Sequence, residues 1–173
     1  MHHDHKRPVH LVGSVSLPSA ADVFEAVGAC LGDHVARIPD GETGDRAVPF
    51  PFRQGLIDNV TKTPGIAFIR NFVIANMTLP LYGLAPGASA DDVQFGELGF
   101  ASAAKASYRD FVRLRAAGKA PAGVRMQVCI PTPFMLALCF TAPEQLVALW
   151  PAYERGMVRE LQDMLTVIPA EDL

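Results

Sequence analysis

A chain of 173 residues is long enough to bury a core, and a net charge of −3 without any run or stripe of Lys and Arg excludes a nucleic-acid-binding surface. The longest apolar stretch, residues 128–140, is interrupted by Pro131 and Pro133 and is too short to span a bilayer, so no membrane partner is expected. Half of the residues are hydrophobic and the mean hydropathy is +0.20, which fits parallel strands buried on both faces, or a surface covered by further chain or by a partner.

In chain order, the His2-His3-Asp4-His5 cluster comes first. So close to a chain end it reads as a solvated, disordered tail over residues 1–7 rather than a metal site. No apolar stretch of signal-peptide type accompanies it, and a cytoplasmic location is expected. Residues 9–15 then read as a short buried strand ending in Gly13-Ser14. Ser19 and Asp22 stand in capping-box spacing ahead of a helix whose apolar stripe is Val23, Phe24, Val27 and Leu31, closed by Gly32. Residues 34–38 are a second strand. The segment from Pro39 to Arg46 follows, a loop with two glycines and three carboxylates.

Residues 47–97 are the least regular part. They read as an insertion: an aromatic extended piece at 48–52, then one or two strand-like pieces at 68–77 and 79–83, with a hairpin over the mouth of a site as one arrangement. Helical spacing returns over residues 98–117, with Gly118 as its stop. Residues 124–130 form a third strand, and Pro131-Thr132-Pro133 its terminal turn. Thr141 and Glu144 resemble another capping box, Pro151 divides the region that follows into a short and a longer helix, and residues 171–173 point into a fourth strand.

Strand, helix, strand, insertion, helix, strand, helix is the alternation of an α/β fold with a parallel sheet. In such folds, chemistry gathers where the strands end. Gly13 and Ser14, Asp40 and Glu42, and Thr132 occupy the three strand ends and are the candidate substrate-binding residues. The Gly13-Ser14 turn offers N–H groups and a hydroxyl at the head of a helix, where carboxylates and phosphates bind, or is a plain strand-to-helix turn. Asp40 and Glu42 are suited to a substrate ammonium, a metal, or acid–base work, or else pair with Asp45 and Arg46 to order the loop. Arg46 and Arg70 are anion partners by residue type alone, and His10 and His34 read as hydrogen-bonded strand residues. Cys30, Cys129 and Cys139 are scattered, without a CxxC pair, and read as small buried hydrophobes.

Three segments together resemble the uroporphyrinogen decarboxylase / cobalamin-independent methionine synthase superfamily, and within it the methionine synthase-like members. They are His10-Leu-Val-Gly-Ser14 with its capped helix, Arg37-Ile-Pro-Asp-Gly-Glu-Thr-Gly-Asp-Arg46, and Gly123-Val-Arg-Met-Gln-Val-Cys-Ile-Pro-Thr-Pro133. The resemblance implies the N-terminal half of a (β/α)8 barrel: a single domain over residues 1–173, about three βα units, with the irregular or hairpin insertion after strand two. It implies that Gly13 and Ser14 contact an amino-acid thiol, that Asp40 or Glu42 holds the substrate amino group, and that Thr132 lies at the rim. The family's zinc ligands come from the second half of the barrel, so zinc is expected only in a longer parent, with no cofactor in this chain. The parent would be a methyl- or alkyl-transferase acting on a small thiol or amino acid, or a decarboxylase. Alternatives left open are a non-catalytic half-barrel that associates with itself or with a complementary half, and a small α/β ligand-binding module.

Overall fold

The computed structural model describes residues 7–47 and 54–173. The chain forms two compact units, Met1–Val48 with Ser102–Cys129 and Met164–Leu173, and Pro49–Ala101 with Ile130–Asp163. Among the described residues the architecture is mixed α/β, with one small parallel and one small antiparallel sheet. The readings at residues 1–6 and 48–52 lie outside the described residues.

In the first unit, α1 (Ala20–Leu31) forms as its spacing predicts. Ser19 accepts from the Asp22 N–H at 3.2 Å and donates its hydroxyl to the Asp22 carboxylate at 2.6 Å, which fixes the first turn. Gly32, at φ 47°, returns its N–H to the Gly28 carbonyl. Val23, Phe24 and Val27 are buried, and Phe24 meets Phe111 edge-on at 5.2 Å. Phe111 belongs to α3 (Phe100–Ala116), of which residues 102–116 lie in this unit. Gly118 closes α3 at φ 69°: its N–H bonds the Arg115 carbonyl, while the Lys119 N–H bonds that of Leu114, the two bonds of a Schellman ending.

The parallel sheet pairs β1 (Arg37–Pro39) with β4 (Arg125–Gln127), Ile38 opposite Met126, both fully buried. Residues 9–15 run alongside β1 but bond only the residues flanking it, in a parallel bridge of Val9 to Val35 and where the Val15 N–H bonds the Gly41 carbonyl at 3.0 Å. The expected first strand is therefore an irregular segment. Its Leu11 and Val12 carbonyls take the Gln127 side-chain amide instead of a ladder, and Val12 faces solvent. The second strand starts at Arg37 rather than His34, because residues 32–34 make a 3-10 turn. The last residues, read as leading towards a strand beyond residue 173, are instead another 3-10 turn, Ala170–Asp172, held by Arg115 Nη2 to Asp172 at 2.8 Å and by the Tyr108 hydroxyl at 2.6 Å.

In the second unit the insertion contains a hairpin, β2 (Ile66–Ile74) antiparallel to β3 (Met77–Leu84), preceded by α2 (Gln54–Thr61), a helix not expected from the sequence. Leu56 and Val60, one turn apart and both buried, are its apolar face; two positions are too few for a periodic signal. A two-residue turn at Ala75-Asn76 joins the strands, with Ala75 at φ 52°, the left-handed conformation that tight hairpins demand. Thr132 caps α4 (Pro133–Phe140), with Pro133 in the first turn where its missing N–H is harmless. The two prolines thus start a helix rather than merely ending a strand.

Pro151 does not divide the last helix. α5 (Leu146–Leu165) runs through it, since the bond Pro151 cannot make would go to Val147, on the exposed side of the helix. The capping box expected at Thr141 does not form; its hydroxyl donates to the Tyr153 phenol at 3.2 Å. Phe95 stacks on Tyr153 at 4.3 Å in the core. The buried Glu160 carboxylate accepts the N–H groups of Leu98 and Ala101, the latter at 2.6 Å, and so caps the start of α3 from another helix. Among the described residues no helix is long and apolar enough to cross a membrane.

Candidate functional site at the strand ends of the first unit

The loop leaving β1 has unusual backbone geometry. Gly41, Glu42 and Gly44 all adopt positive φ, at 79°, 50° and 63°. Gly41 admits no side chain: a Cβ there would stand 2.6 Å from Val23 Cγ2 on α1. Glu42 has no such excuse. A non-glycine residue in the left-handed region carries roughly 1–2 kcal/mol of strain, and such strain collects at functional positions.

Asp40 explains how the strain is held. Its carboxylate is fully buried, with Oδ2 2.7 Å from Arg46 Nη2 and Oδ1 accepting the Glu42 N–H at 3.3 Å. Asp40 and Arg46 therefore order the loop and aim the next acidic residue. Of the two carboxylates expected at this strand end, Glu42 is the less buried. Its Oε2 accepts the Ser14 hydroxyl at 2.5 Å. Ser14 and Glu42 are 28 positions apart, brought together because residues 9–15 and β1 run side by side.

Gly13 opens the space between them. A Cβ at this position would lie 3.0 Å from Cys129 Sγ, which would have to give way by a few tenths of an ångström, and 3.8 Å from Glu42 Oε2, an ordinary contact. Cys129 Sγ donates to the Val12 carbonyl at 3.1 Å, and Gln127 Nε2 to that of Leu11 at 2.9 Å. Gln127 Oε1 is buried without a hydrogen-bond partner. Gln127 was not singled out from the sequence, and Cys129 was read there only as a small buried hydrophobe. The available signal was their alternation at the end of a strand, which turns both to one face.

Gly13, Ser14, Asp40 and Glu42 thus gather in one unit. Thr132 belongs to the other, where its hydroxyl accepts the Met135 N–H at 3.2 Å as a helix cap. The anion site expected at the head of a helix does not arise at Gly13-Ser14, because α1 begins at Ala20 under its own cap, Ser19. Arg46 is paired with Asp40, and Arg70 with Glu144 in a two-pronged ion pair, one arm of it 3.1 Å long. Each partner shifts the other: Arg70 is raised and Glu144 is held below the usual carboxylate range, by their hydrogen bond first. His34 Nδ1 lies 3.2 Å from the Arg7 carbonyl, and His10 is exposed. The cysteines are free thiols and none is fully buried, contrary to expectation. Cys30 is exposed, while Cys129 and Cys139 are half-buried, and burial raises the Cys139 thiol.

Chemically, a carboxylate beside a hydroxyl, on strained backbone and near a thiol, is a hydrogen-bonding corner suited to a small ligand that presents N–H donors, above all an ammonium group. Among the described residues no group of three or more His, Cys, Asp and Glu is placed to hold a metal ion. In comparisons with known proteins the chain matches no family model, no curated protein and no solved structure.

Proposed function

We propose that Gly13, Ser14 and Glu42 bind the amino-acid end of a small thiol or amino-acid substrate. In this reading the chain is a fragment of a methionine synthase-like, cytoplasmic enzyme, a methyl- or alkyl-transferase, inactive alone. The observation that carries it is the Ser14–Glu42 hydrogen bond, which joins two strand ends named by the resemblance and is supported from beneath by the buried Asp40–Arg46 pair. The order of parallel segments, residues 9–15, then β1, then β4, with helices between them in sequence, is compatible with the opening of a (β/α)8 barrel. Glu42 would accept the substrate ammonium while the Ser14 hydroxyl, donating to the same carboxylate, holds it in place.

Calorimetric titration with L-homocysteine and L-methionine tests this. Ser14→Ala and Glu42→Gln should each weaken binding about tenfold or more, the scale of a lost charge-assisted hydrogen bond. Failure of the folded wild-type chain to bind either ligand at millimolar concentration would refute the substrate assignment. That outcome would favour the second reading, a non-catalytic self-associating half-barrel or small α/β binding module, to which one observation points: the exposed apolar hairpin.

A further inference from the structure

The β2–β3 hairpin is covered at its base and bare towards its tip. Leu81 is buried, whereas Phe68, Ile69, Phe72, Val73, Ile74 and Met77 range from 38% exposed at Ile69 to 66% at Val73. Register places these residues on both faces. Phe68 and Val73 share one with Tyr82 and Thr78; Phe72 and Ile74 share the other with Leu79 and Met77. A strand that is apolar on both sides and exposed on both is unusual in a finished surface.

The two edges of the hairpin differ. β3 is blunted: Pro80 has no N–H to offer, and Tyr82 is already bridged to Thr141, its carbonyl taken by the Ala142 N–H at 2.8 Å. β2 carries no Pro and no Lys, and among the described residues it pairs only with β3. Its one irregularity, the bulge at Ile69, lies near the base and leaves residues 70–74 straight. Natural edges of this length are ordinarily charged, bent or covered.

We propose that β2 is a self-association edge: two copies of this chain pair β2 with β2, antiparallel about a two-fold axis near Phe72, into a four-stranded sheet across the dimer. Antiparallel pairing of a strand with itself is self-complementary under two-fold symmetry and needs no charge pattern. That matters here, because Arg70 is the one charged residue between Thr63 and Ala90 and it is bound to Glu144. The patch therefore has no charge to select an unlike partner and no basic cluster to hold an anionic membrane. Six half-exposed side chains of roughly 200 Å² each offer at most about 600 Å² per copy and about 1,200 Å² per dimer, the lower end of specific interfaces. A reversible dimer in the micromolar range follows.

Light scattering on a size-exclusion dilution series of the whole chain tests it. The expected mass rises from 18.6 kDa to twice that value with concentration. Phe72→Lys with Ile74→Lys should raise the dissociation constant at least tenfold with an unchanged circular dichroism spectrum. Independently of that variant's folding, Phe72→Cys, which the axis sets opposite its own copy, should on oxidation yield an intermolecular disulfide through residue 72 that wild type cannot form. Ser14→Ala should dimerise like wild type, which separates this proposal from the ligand reading. A wild-type mass that stays monomeric to high micromolar concentration overturns it. So does flotation of a monomer with phosphatidylcholine–phosphatidylglycerol vesicles, or a dimer unaffected by both β2 variants.

Discussion

Replacing Glu42 with glycine separates a ligand-binding carboxylate from a loop-ordering one. Glu42 sits at φ 50°, and glycine there relieves roughly 1–2 kcal/mol of backbone strain, less about 0.4–1 kcal/mol for the freer unfolded chain. Against this stand the interactions of the Glu42 carboxylate, among them the hydrogen bond from Ser14, exposed and therefore about 0.5–1 kcal/mol. The Glu42 N–H that donates to the Asp40 carboxylate belongs to the main chain, and the substitution keeps it. These contributions cancel to within about 1 kcal/mol, so Glu42→Gly should unfold in urea at nearly the wild-type midpoint while affinity for an ammonium-bearing amino acid falls tenfold or more. Stability retained with binding lost is the pattern of a strained functional residue. The reasoning would be refuted by a loss of 2 kcal/mol or more with unchanged ligand affinity, because Glu42 would then be holding the loop rather than serving a ligand.

Asp40→Ala should do the opposite: it breaks a buried ion pair and removes an acceptor from the Glu42 N–H, destabilising the chain by about 3 kcal/mol in urea denaturation. An effect under 1 kcal/mol would mean that Arg46 simply turns to solvent. Glu160→Ala should cost about 3–5 kcal/mol, since it strands two N–H groups at the buried start of α3, whereas Glu160→Gln, keeping one acceptor, should cost about half of that; equal effects would show that packing rather than capping is at stake. The Tyr108–Asp172–Arg115 cluster makes stability depend on pH at both extremes. Arg115 and then Tyr108 hold Asp172 below the usual carboxylate range, against the opposing pull of burial, so its contribution is complete above about pH 4 and disappears as pH falls through the depressed value. Burial first and Asp172 second push Tyr108 up to about 12, so its contribution is complete below about pH 10 and is lost as pH rises from there towards 12. Tyr108→Phe should flatten the alkaline limb of melting temperature against pH and leave a shallower acid limb; an unchanged alkaline limb would show that Tyr108 is not its source.

Local chemistry was legible in the residues themselves. Ser19 and Gly32 mark α1, and Gly118 ends α3 in the motif that glycine permits, because caps depend on side chains a few positions away. The hairpin was visible as apolar, β-branched residues, and the loop after β1 as glycines among carboxylates. Pattern alone also brought Gly13, Ser14, Asp40 and Glu42 forward as residues that end parallel strands.

Tertiary structure decided what each of them does. Asp40 and Glu42 are two positions apart and chemically alike, yet one is buried under Arg46 and the other faces Ser14, a difference set by partners distant in the chain. Thr132 is a rim residue by sequence and a helix cap in the fold, since Pro133 starts α4 and its free N–H groups claim the nearest hydroxyl. Pro151 passes through α5 because the position it leaves unbonded lies on the exposed side. Which edge of the hairpin stays open depends on the bridge between Tyr82 and Thr141, 59 residues apart in sequence. Helix ends and turns are fixed by interactions within a few residues and can be read from the string. The roles of charged and capping groups are fixed by burial and by distant partners, and these exist only once the chain has closed on itself.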